Sequence, residues 1–153
     1  MKRLYVTLVA TVVLCGTALL APALRADSTP DNDGVIVVLN KRNPTSQLTK
    51  AQVQNLFLGK TAFWHGVVPV KVFVRPSGSQ VARQFFETIL GKSSQSFAKH
   101  WDKLQLSGRA VAPTVVGDMQ SLMKEVMANP GAIGFASAAE AWEAQNVKVV
   151  EIR

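Results

Sequence analysis

Two kinds of segment alternate from Val35 to Ile152, and that alternation restricts the possible folds more than any other feature of the chain. Short apolar runs rich in β-branched residues read as strands: "VIVVLN" (35–40), "KVFV" (71–74), "GAIGFAS" (131–137) and "VKVVEI" (147–152). The stretches between them carry helical spacing. In "LTKAQVQNLFLGK", Thr49 is a candidate N-cap, Val53, Leu56 and Phe57 share a face, and Gly59 is a C-terminal stop. From Ser79 to Leu90, Val81, Phe85, Phe86, Ile89 and Leu90 mark an amphipathic helix closed by Gly91. "SSQSFAKHWDKLQL" restarts with Phe97, Trp101 and Leu104, and Asp118 is placed to cap "MQSLMKEVMANP". "AAEAWEAQN" reads as a last short helix, while "TAFWHGVVPV" and "SGRAVAPTVVG" read as irregular connections. Strand and helix in alternation predict an α/β domain over 35–153, with a mainly parallel sheet covered by helices on both faces. Phe57, Trp64, Phe85, Phe86, Phe97 and Trp101 are the expected core aromatics.

The residues before this domain have a different logic. Lys2 and Arg3 precede an apolar run from Val6 to Leu20, and small residues follow at Ala21, Ala23 and Ala26. This is the layout of a secretory signal peptide, here 1–26, with cleavage after Ala23 or Ala26. An uncleaved membrane anchor is the alternative, because the run is close to the length that spans a bilayer. The polar stretch 27–34 reads as a flexible leader. The expected location is therefore periplasmic or secreted, with membrane contact only through the signal segment.

Cys15 is the only cysteine, and it lies in the apolar run behind Leu14 rather than behind the small residue that lipidation requires. A cleaved chain has no cysteine, which excludes disulfides, thiol catalysis and cysteine-based zinc sites. Removing Lys2, Arg3 and Arg25 takes the basic count from 17 to 14 against ten acids, a net of +4. Such a balance suits small anions, and no basic run with interleaved aromatics points to nucleic acid. His65 and His100 lack partners at metal-ligand spacing, so no metal site is expected. No Gly-x-Ser-x-Gly elbow exists and neither histidine has an evident route to a candidate serine, so neither catalysis nor a cofactor is expected.

One junction carries chemistry. In "VFVRPSGSQVARQFF" (72–86) a strand ends at Arg75, passes a Pro-Ser-Gly-Ser turn and feeds a helix. The opening turn of a helix has amide donors without intrahelical partners and a partial positive charge, a combination that favours oxyanions. Gly78 allows close backbone approach, Ser77 and Ser79 add hydroxyls, Gln80 begins the helix, and Arg75 offers a planar fork suited to phosphate or carboxylate oxygens. In open α/β sheets ligands sit outside the carboxyl ends of the strands, where this turn belongs. The same residues also fit plain capping: Ser77 with Gln80 has capping-box spacing, and Ser79 is a good N-cap by itself. Arg109, in the loop "SGRAVAP", is a further cation that could join an anion site, or a solvated loop residue.

Three segments together, "LTKAQVQNLFLGKTAFW", "RPSGSQVARQFF" and "NPGAIGF", resemble the periplasmic phosphate-binding proteins of ABC uptake systems. The resemblance covers the whole of 35–153 and corresponds to one lobe, the second, of their two-lobed type II periplasmic-binding fold. It implies a substrate-binding role: an oxyanion such as phosphate as ligand, an ABC permease or another envelope protein as partner, and no catalysis. The family's turn reads Arg-x-Asp-Gly-Ser-Gly-Thr, whose Arg, Ser, Gly and Thr hold phosphate. Arg75 and Ser79 match it, whereas Gln80 stands at the second Gly position, Val81 at the Thr position and Ser77 at the Asp position. With only one lobe, a homodimer could rebuild a two-sided cleft. The second expectation is a periplasmic interaction or sensor-accessory domain that keeps the fold and has lost the transport ligand.

Overall fold

The computed structural model describes residues 34–153; the expected signal peptide and nearly all of the leader lie outside the described residues. A six-stranded mixed sheet forms its centre, in the order β2 (Gln47–Leu48), β8 (Lys148–Ile152), β1 (Val35–Leu39), β7 (Ala132–Ser137), β5 (Lys71–Val74), β6 (Thr114–Val115). Parallel pairings join β2 to β8, β5 to β7 and β5 to β6. The parallel character expected from the alternation is therefore present in five strands. β1 is the departure, running antiparallel to both β7 and β8. Its unbroken apolar run records two covered faces, not a direction: Val37 and Leu39 enter one core and Val38 the other.

The larger core lies under α1 (Lys50–Phe57), α2 (Gln80–Gln84) and α3 (Ser94–Leu106). Thr49 caps α1 with a full capping box, its side chain accepting from the Gln52 amide while the Gln52 side chain accepts from the Thr49 amide. α2 continues into a π-helical turn, Phe85–Leu90, which ends at Gly91 in the left-handed conformation. The wider turn lets Phe85, Phe86, Ile89 and Leu90 all face inward. Phe85 stacks on Phe135 of β7 at 4.0 Å between ring centroids, and Phe86 stacks on Phe97 at 4.7 Å. All six expected core aromatics are buried. The opposite face of the sheet is covered by α4 (Met119–Ala128), whose Met119, Leu122 and Val126 pack on Val38, Phe73 and Ala136.

Two connections differ from the sequence reading, and the expected last short helix is of the 3-10 type. "TAFWHGVVPV" contains a hairpin of β3 (Phe63–Trp64) and β4 (Val68–Pro69), turned by His65 and Gly66 with positive φ. "SGRAVAPTVVG" contributes the edge strand β6. The segment after β7 is a 3-10 helix, Ala138–Glu143. Across the fold, the carboxyl ends of β5, β6 and β7 fall on one edge of the sheet, and each is followed by a turn into helical structure.

Candidate anion site

Arg75 follows β5 directly and is only 9 % exposed, an unusual depth for a guanidinium. Its Nη1 donates to Glu140 Oε1 at 3.2 Å. Glu140 is itself held: its Oε2 accepts from the Ser137 amide at 2.9 Å and from the Ser137 hydroxyl at 3.0 Å. Burial would raise the Glu140 pKa, but the Ser137 amide and the Arg75 guanidinium outweigh it and hold the carboxyl below its ordinary value. Arg75 Nε, by contrast, is buried and has no hydrogen-bond partner among the described residues. A buried charged donor left unpaired costs more than an ordinary hydrogen bond returns, and for a native arginine it calls for an explanation.

The turn after Arg75 is open on its outer side. Ser77, Gly78 and Gln80 are exposed, and a Cβ built on Gly78 would meet nothing within 4 Å. Ser79 is the N-cap of α2, accepting from the Ala82 amide at 3.3 Å while its hydroxyl donates to the Pro76 carbonyl at 2.7 Å. Its amide also bonds the Pro76 carbonyl, at 2.9 Å. Ser79 thus builds the turn. Gln80 and Val81 follow as the first-turn residues whose amides have no partner a helical turn behind them. Val81 is half-buried against the larger core.

The fold therefore brings Arg75, Ser77, Gly78, Ser79 and Gln80 to one corner, and it does not bring Arg109 there. Arg109 lines a separate cleft beside the start of β5, with Lys71, Val72 and Trp101. Two further groups belong to the corner: the sequence reading did not single out Arg83 and gave Asp118 only as a helix cap. Arg83 reaches back so that its Nη1 donates to the Gly78 carbonyl at 3.1 Å. Asp118, beyond β6, caps α4 through the Ser121 amide at 2.7 Å. That hydrogen bond chiefly holds its carboxyl below the ordinary aspartate value, and the field of Arg75 adds to the effect. Arg83 had a detectable signal, since it lies four residues beyond an N-cap on the exposed side of a helix. Glu140 had none, because 65 residues separate it from Arg75.

The histidines stay apart: His65 Nε2 lies 3.3 Å from Thr45 Oγ1, and the His100 ring bonds the Leu58 carbonyl at 2.8 Å. Among the described residues no group of three His, Cys, Asp or Glu side chains converges as a metal site would require. None of their helices is long and apolar enough to cross a membrane.

The sequence profile of the PBP superfamily domain matches residues 32–152. The chain belongs to that superfamily. Solved structures of similar fold include an ABC-type phosphate transport receptor from Vibrio cholerae, at 22% identity and a TM-score of 0.58 over 78% of this chain and 46% of that one. A putative phosphate ABC transporter substrate-binding protein with bound phosphate from Clostridium perfringens aligns at 23% identity, TM-score 0.60, over 78% of this chain and 45% of that one. A possible phosphate binding protein from Planctomyces limnophilus aligns at 20% identity, TM-score 0.55, over 79% and 42% respectively. No curated protein matches the sequence. This PBP domain thus spans less than half the length of each of these structures.

Proposed function

We propose that this PBP domain is an exported oxyanion-binding protein, with phosphate or sulfate held at the turn after β5 and passed to an ABC permease. The observation that carries the reading is the buried Arg75 Nε without a partner, beside a helix opening that faces outward. An oxyanion seated there takes amide bonds from Gln80 and Val81 and, once the Arg75 side chain turns Nε toward the open corner, a charge-assisted bond from it. Ser77 supplies a hydroxyl from the exposed side. Ser79 and Gly78 shape the turn rather than grip the ligand. The fold relationship to phosphate-binding structures supports the ligand class.

Isothermal titration with phosphate and with sulfate tests this. Wild type gives saturable heats, and Arg75→Ala gives none. Glu140→Gln binds several-fold more tightly, because the carboxylate no longer competes for the guanidinium. Silence from wild type and from Glu140→Gln at anion concentrations well above the expected millimolar Kd removes the reading.

One observation favours a second reading, an envelope interaction or sensor-accessory domain that keeps the fold without the transport ligand: Glu140 already occupies Arg75. In that case Glu140→Gln destabilises the domain and gains no anion affinity. Co-purification of a sensor or secretion component from the envelope, rather than a permease, separates the two.

A further inference from the structure

We infer a second ligand site, for an organic anion with an apolar body, in the cleft beside the start of β5. The cleft has a volume of about 540 Å³ and lies along Lys71–Phe73, whereas the Arg75 turn lies past the other end of the same strand. Edge strand β6 pairs only with Phe73 and Val74, so the chain from Arg109 to Ala112 diverges from β5 and leaves a gap beneath it. The floor is apolar: Leu56 and Trp101 are buried there, and Val72, Ala110 and Ala112 are partly buried around them. Trp101 is fixed in place by its indole N–H, which donates to the Phe57 carbonyl at 3.1 Å. Such a floor prefers hydrocarbon or an aromatic ring to water.

The rim sets the charge of the guest. Lys71 Nζ donates to Asn129 Oδ1 at 2.6 Å, and Asn129 Nδ2 in turn donates to the Glu125 carbonyl at 2.8 Å and lies 3.4 Å from Glu125 Oε2. Lys71 and Glu125 thus sit at the two ends of one relay and offset each other. Arg109, on the opposite wall, forms no ion pair among the described residues. One uncompensated guanidinium above an apolar floor fits a carboxylate or sulfonate head on an aliphatic or aromatic body. A bare inorganic anion would leave the floor wet, and a neutral apolar molecule would leave Arg109 unused. This site does not depend on anion binding at the Arg75 turn.

Amide NMR titration of the purified protein distinguishes the possibilities, with octanoate and 3-phenylpropionate as probes and octan-1-ol as the neutral control. The expected result is saturable shifts clustered at Lys71–Phe73 and Arg109–Ala112, undiminished by excess inorganic phosphate. Arg109→Ala weakens carboxylate binding about fivefold and leaves octan-1-ol unaffected. Val111→Glu, at a site 90 % exposed and so harmless to folding, also weakens the carboxylates. The tighter of the two probes identifies the body as aliphatic or aromatic. Shifts scattered over the surface, shifts centred on Arg75–Gln80, or unchanged carboxylate affinity in Arg109→Ala overturn the proposal.

Discussion

Arg75 and Glu140 illustrate how a single residue divides its duties. Nη1 is satisfied by Glu140, while the buried Nε is not. The ion pair has a definite pH signature. Glu140 titrates below its ordinary value in the folded chain, so its contribution to stability is complete above the unfolded value, about 4.3, and is lost as pH falls through the folded value. The melting-temperature difference between wild type and Glu140→Gln is therefore constant from neutral pH down to about 5, and shrinks below about 4.3. Ser79 makes a different prediction. Because its hydroxyl caps α2 and bonds Pro76, Ser79→Ala costs about 1 kcal/mol of stability, measured by urea unfolding. A serine serving only a ligand would leave stability unchanged.

Elements show which features a sequence can disclose. The helices were legible because each carries its own cap and its own apolar face: Thr49, Ser79, Ser93 and Asp118 all accept from first-turn amides. The direction of β1 was not legible, since partners far along the chain, in β7 and β8, set it. The two-residue strands β2, β3, β4 and β6 are shorter than any periodicity that could reveal them. At the site, the Arg75 turn is a local motif and could be read, whereas Glu140 arrives through tertiary folding. Asn40 is an element-scale joint of the same hidden kind. Buried at the end of β1, it donates through Nδ2 to the Val126 and Met127 carbonyls at the end of α4, at 2.7 and 2.9 Å. Asn40→Ala strands both carbonyls and costs about 2 kcal/mol in denaturant unfolding. Gly131→Ala is more severe, because a Cβ there would lie 1.9 Å from the Pro69 carbonyl oxygen. That oxygen belongs to the backbone and cannot step aside, so the loss is about 3 kcal/mol or more.

At the scale of the molecule, this PBP domain has the fold of a part of its structural neighbours and spans less than half of each. The Arg75 turn is open on its outer side, so a ligand seated there keeps water on that side, and its affinity is on the order of millimolar rather than micromolar. The same exposure makes binding salt-sensitive. Raising ionic strength from roughly 0.01 to 0.15 M shortens the screening length from about 30 to 8 Å, and phosphate affinity falls several-fold by calorimetry. A fully enclosed site would show a much smaller change. The most direct measurement follows the Arg75 side-chain Nε–H resonance through a phosphate titration. Saturable movement of that signal, together with the Gln80 and Val81 amides, is the predicted result. A stationary Arg75 Nε–H at anion concentrations that saturate any observed binding would contradict it.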